Sequence, residues 1–166
     1  MKTFIGIILL IPFLIWGTLR TVNAITYNID CGGHLKRAAD ANTVEMAKKE
    51  LITAIKYLQD NNMTAGYTSV LYRTPDEDIE FWYTNLNQSL GELSAVTNST
   101  SQLEKSNILM KLRETLLDQN KDGTSVTQPA GISIFPKNKI YALFGGLSAL
   151  FGLVGCVLIF QKLVDY

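Results

Sequence analysis

The sequence predicts an all-α protein: a membrane-anchored antiparallel three-helix bundle with a C-terminal transmembrane helix and a second apolar helix at the N-terminus. Three observations carry that prediction. Ile140 to Phe160 is twenty-one residues without a charge, and at about 1.5 Å per residue it reaches ~31 Å, which matches a hydrocarbon core of about 30 Å. A second apolar run, Phe4 to Trp16, opens the chain. Between them lie three segments whose apolar residues recur at steps of three and four, the period of a helix with one buried face.

The 166 residues, less the two apolar ends, leave one domain's worth of chain between Ile25 and Lys139. That segment holds fourteen of the fifteen acidic residues and twelve of the fifteen Lys and Arg. It is slightly acidic with interspersed charges, which excludes a nucleic-acid surface. The two cysteines are Cys31, before the predicted helices, and Cys156, within the span. They lie on opposite sides of an interface, so no disulfide framework is expected.

Residues 1–24 fit two readings, a cleaved signal peptide or a retained signal anchor. A positive start, an apolar core and the small Ala24 suit signal peptidase. Phe4 to Leu19, flanked by Trp16 and Arg20, is about 24 Å of helix and favours a retained anchor. Either way the following domain crosses the membrane and becomes extracytoplasmic. Arg20, Lys137 and Lys139 oppose this orientation, because they put more positive charge beside the domain than Lys2 and Lys162 put in the tails.

Residues 25–136 are then the soluble domain. Ile25 to Asp30 reads as an extended connector, broken by Cys31-Gly32-Gly33. The first helix is predicted over 34–60, with Leu35, Ala38, Val44, Ala47, Leu51, Ile55 and Leu58 on its buried face. Thr64 to Arg73 loses the period and reads as an extended connection. Thr74-Pro75-Asp76-Glu77 starts the second helix, 75–96, because threonine caps, proline suits the first turn and glutamate closes a capping box. Its buried stripe is Ile79, Trp82, Leu86, Leu90 and Leu93. Phe81 and Tyr83 flank that stripe, and at least one of them is expected to face outward as an interaction aromatic. Ser101-Gln-Leu-Glu104 starts the third helix, 101–118. Its apolar residues Leu103, Ile108, Leu109, Met110, Leu112, Leu116 and Leu117 cover more than one stripe, which predicts two packing neighbours. Residues 119–139 carry glycines, prolines and hydroxyls without a period and read as a linker to the span at 140–160. A short tail, 161–166, follows.

Cys31-Gly-Gly-His34 puts a thiol and the only histidine three residues apart. A zinc site needs three or four ligands and a catalytic pair needs a third, orienting group. Neither can be read here, so no metal, cofactor or catalytic residue is expected. Asp118-Gln-Asn120-Lys-Asp122-Gly123 matches the first half of an EF-hand loop, but Val126 and Pro129 stand where the later ligands belong. Asn62-Met-Thr, Asn87-Gln-Ser and Asn98-Ser-Thr are glycosylation sequons that matter only in a eukaryotic secretory pathway.

Within the span, Gly145, Ser148, Ala149, Gly152, Gly155 and Cys156 fall at steps of three and four. Small side chains on one face let another helix approach closely. The partner is the N-terminal span, a second copy or another membrane protein. On this basis Gly152→Ile disrupts association and Leu153→Ile does not. The expected function is non-enzymatic: a membrane-anchored helical protein acting by protein–protein interaction, as an accessory or scaffold subunit of a membrane assembly. The alternative is an extracytoplasmic sensor or small-ligand-binding bundle that signals through a membrane partner.

Overall fold

A computed structural model describes residues 2–120 and 123–164. The chain divides into two compact units, residues 1–25 with 137–166, and residues 26–136.

The first unit is built from two long apolar helices, α1 (Lys2–Tyr27) and α6 (Asn138–Val164). Both are long and apolar enough to cross a membrane. At about 1.5 Å per residue each reaches about 40 Å, and hydrocarbon favours helix because every backbone polar group is satisfied within the segment. Pro12 lies inside α1, where it leaves one carbonyl without its helical donor. Leucine, isoleucine, valine and phenylalanine side chains are exposed on both helices.

The second unit is all-α apart from one short hairpin. Its helices are α2 (Gly33–Ala39), α3 (Val44–Asp60), α4 (Ile79–Ala95) and α5 (Gln102–Leu116). The expected extended connector at 25–30 is helical instead. The backbone stays helical from Lys2 to Ala39, passing through a π-turn at Asn28–Gly32. In that turn the Gly33 N–H reaches Asn28 O, and a Cβ on Gly33 would sit 2.7 Å from the same oxygen. The glycine pair therefore permits the wide turn rather than breaking the helix.

The single helix expected over 34–60 is two. α2 ends at Ala39, and Thr43 caps α3 by accepting a hydrogen bond from the Met46 N–H at 3.2 Å. Asp40-Ala-Asn-Thr43 carried that signal in plain view, since Asp, Asn and Thr compete with helix and favour caps. The apolar stripe survives the break because the two helices pack directly on each other. Leu35, Ala38, Ala47, Leu51 and Leu58 are fully buried. α3 closes with Asn62 in the left-handed region and the Met63 N–H on Leu58 O at 2.8 Å, a Schellman-type end.

The second helix starts later than expected. Thr74 does not cap the backbone; its hydroxyl donates to Glu77 Oε2 at 2.6 Å, within a 3-10 turn at Pro75–Glu77. Asp78 is the cap of α4, with Oδ1 accepting from the Glu80 and Phe81 N–H groups. Ile79, Trp82, Leu86 and Leu93 are buried as the period required, and Leu90 is half-buried. Ser101 caps α5 through the Glu104 N–H. α5 packs on α2, α3 and α4, yet it buries only Leu112 and Leu116, while Leu103 and Met110 are 72% and 58% exposed.

The segment expected to be a featureless linker is part of the fold. β1 (Leu117–Asn120) and β2 (Gly123–Val126) pair antiparallel in the register Leu117↔Val126. The chain after the hairpin then straps the core. Thr127 O accepts from the Trp82 indole N–H at 2.8 Å, and Gln128 Oε1 accepts from the Tyr27 hydroxyl at 3.1 Å. Ile132 and Ile134 are buried in a short 3-10 turn that begins at Gly131, φ 73°.

Candidate functional site

In the membrane-type unit the small residues of α6 meet α1. A Cβ on Gly155 would lie 2.6 Å from the Gly6 carbonyl oxygen, and a Cβ on Gly6 would lie 2.8 Å from the Gly155 carbonyl oxygen. Only a glycine pair allows backbones this close. At Gly152 the space opens, with Phe13 at 3.6 Å, and at Gly145 the Trp16 ring closes it again at 2.7 Å. The pairing of 6 with 155 and of 16 with 145 makes the two helices antiparallel. Ser148 is buried, its hydroxyl donating to Gly145 O at 3.0 Å. Ala149 is half-buried and Cys156 is exposed, so the face expected from the spacing narrows to Gly145, Ser148, Gly152 and Gly155.

Sequence reasoning missed the residues that complete this contact. Trp16 Nε1 donates to Tyr141 O at 2.9 Å, and Asn23 Nδ2 donates to the Tyr141 hydroxyl at 2.8 Å. These polar links sit toward one end of the apolar stretches, where aromatic side chains with a polar tip are favoured. A lone glycine in an apolar run, Gly6, and the tryptophan and tyrosine near the ends of the two runs were the available signals.

In the second unit the thiol and the imidazole have different partners. Cys31 is fully buried, its Sγ 3.9 Å from Ala54 O. Burial pushes its thiol up to about 12; a hydrogen bond with Tyr27 opposes the shift and the Asp30 charge adds to it. A cysteine with no exposed surface is of the structural, inert kind. His34 Nδ1 lies 2.6 Å from Glu50 Oε2, and Arg37 Nη2 donates to Glu50 Oε1 at 2.7 Å. Glu50 is 9% exposed, so the two α2 side chains satisfy a carboxylate that α3 buries. The arrangement pins α2 to α3. Among the described residues no group of three metal-ligating side chains comes together.

Of the two interaction aromatics, Phe81 is 65% exposed. Tyr83 is half-buried and accepts a hydrogen bond from Gln59 Nε2 at 2.8 Å, which ties α4 to α3. The half EF-hand does not close as a loop, because its first residues form β1, while Asp122 lies outside the described residues. Asn62 and Asn98 are exposed, whereas Asn87 is half-buried with its amide donating to Tyr83 O.

The chain matches no known family model, no curated protein and no solved structure.

Proposed function

We propose that the chain is a non-enzymatic, membrane-anchored helical protein that acts by protein–protein interaction, as an accessory or scaffold subunit of a membrane assembly. In this reading α1 is retained as an anchor beside α6, and residues 26–136 form an antiparallel helical bundle on the extracytoplasmic side. Two spans, one at each end of that domain, return the chain to the same side. The bilayer and a membrane protein are its partners.

The observation that carries the reading is the distribution of exposure in the unit of residues 26–136. Leu71, Tyr72, Phe81 and Leu103 are 83%, 76%, 65% and 72% exposed, large apolar side chains of the kind that mark contact with another protein when they gather on a surface. The groups with chemistry to offer are spent on packing: Cys31 in the core, His34 on Glu50. In the membrane unit the Gly6–Gly155 approach supports a retained α1, since a cleaved signal would leave the α6 glycines facing lipid.

The test is purification of the full chain from its membrane in mild detergent, followed by identification of what accompanies it and by mass measurement of its N-terminus. A stoichiometric protein partner and an intact N-terminal helix are expected. A lone monomer in several detergents, or a chain beginning near Ile25, would overturn the reading.

A further inference from the structure

The geometry points to a docking site on the second unit for a cationic segment of a partner protein, one that sets an apolar side chain beside Lys or Arg. The inference rests on the interaction reading above and specifies the chemistry of the partner. Two depressions lie on either side of the turn at Thr74–Asp78 and share Asp76 and Gln128 in their walls. The smaller, about 220 Å³, is lined by Trp82 and Leu86, which are themselves buried, with Phe81 on its wall. The larger, about 530 Å³, runs beneath Leu71 and Tyr72 at the tip of the loop before α4. That loop is held shut by the Thr68 N–H on Glu77 O at 3.1 Å and the Ile79 N–H on Gly66 O at 2.9 Å. Its apolar tip is therefore presented rather than trailing.

Charge selects the occupant. Asp76, Glu77, Asp78 and Glu80 surround the turn, and no Lys, Arg or His forms an ion pair with any of them among the described residues. Arg73, the nearest cation in sequence, stacks over the Tyr67 ring at 5.3 Å. The wall opposite, from Thr115 and Thr127 to Pro129, is uncharged. A bilayer surface carrying anionic lipid is repelled by such a face, whereas a Lys or Arg finds several carboxylates at the rim. Ser69, which lines the larger depression, has a hydroxyl without a hydrogen-bond partner.

The experiment uses the full chain in detergent micelles and a fluorescent peptide alternating lysine with leucine, with a glutamate–leucine peptide as its partner control. Binding is followed by anisotropy at low and moderate salt. The lysine peptide is expected to bind, to weaken as salt rises, and to bind about fivefold or more weakly to an Asp76→Asn, Glu77→Gln double variant, since two carboxylates that line the depressions are lost. Asp78 is left intact because it caps α4. Phe81→Ala weakens binding at unchanged charge. A Glu104→Gln, Glu114→Gln variant on α5 removes the same charge elsewhere and should bind as the parent does. Equal affinity across the two double variants, equal binding of the glutamate peptide, or no binding at all overturns the docking site. Preference for anionic vesicles over the peptide overturns it in favour of a lipid surface. If a membrane partner still co-purifies in any of these cases, the general interaction reading stands and only this site falls.

Discussion

Gly155→Ala tests whether the two apolar helices close on each other, and Gly146→Ala is its matched control. A Cβ at 155 would sit 2.6 Å from the Gly6 carbonyl oxygen, with Leu9 at 3.3 Å and Leu10 at 3.4 Å; ordinary contact begins at 3.4 Å, so the backbones must part by 3.4 − 2.6 = 0.8 Å. A gap of that size forfeits about a quarter to a half of each dispersion contact across the crossing. Overpacking of this kind costs about 1–3 kcal/mol. At Gly146 nothing lies within 4 Å. Both substitutions add one methyl and gain the same ~1 kcal/mol of helix propensity, so their difference isolates the clash. Dyes on the exposed Cys156 and on a Phe4→Cys substitution, 69% exposed in the parent, report the helix pair by Förster transfer, and an SDS titration measures its stability. Gly155→Ala should lower the midpoint relative to Gly146→Ala. Coincident titrations would falsify the close approach and leave α6 as a tether.

Three further outcomes follow from the second unit. Trp82 is 7% exposed and its indole donates to Thr127 O, so Trp82→Ala should cost about 3–5 kcal/mol and Trp82→Phe about 1 kcal/mol, both in urea denaturation. A loss below ~1 kcal/mol for the alanine variant would place the ring outside the core. Glu50→Ala removes the acceptor of His34 and Arg37 and should lower stability by about 1–3 kcal/mol, with hydrogen exchange rising first in α2; exchange unchanged there would separate the cluster from helix docking. Burial pushes the Cys31 thiol up from an ordinary 9.0 to about 12, so between these values the unfolded chain releases a proton that the folded chain keeps. The contribution of Cys31 to stability is therefore constant below about 9 and is lost as pH rises above it. Cys31→Ala should flatten that fall, and an unchanged slope would show that the thiol is not buried in solution.

The sequence alone determined whatever rests on local pattern. The two helices long and apolar enough to cross a membrane were legible from length and apolar composition. The buried faces of α3 and α4 are set by period, and Ile79, Trp82, Leu86 and Leu93 fall where the three-and-four spacing placed them. The helix at 102–116 was legible from Ser101, whose cap is local chemistry. Only the tertiary structure decided the rest. Thr74-Pro75-Asp76-Glu77 satisfied every capping rule, yet Asp78 became the cap, because a bridge from Tyr67 to Asp78 holds the chain extended at that point. Residues 119–139 had no period to read, since the strap after the hairpin draws its side-chain hydrogen bonds from Trp82 and Tyr27, far along the chain. The glycines of α6 announced a close contact but not with what. The choice of Gly6 depended on a second helix presenting its own bare backbone at the same level, and spacing within one helix carries no information about its partner.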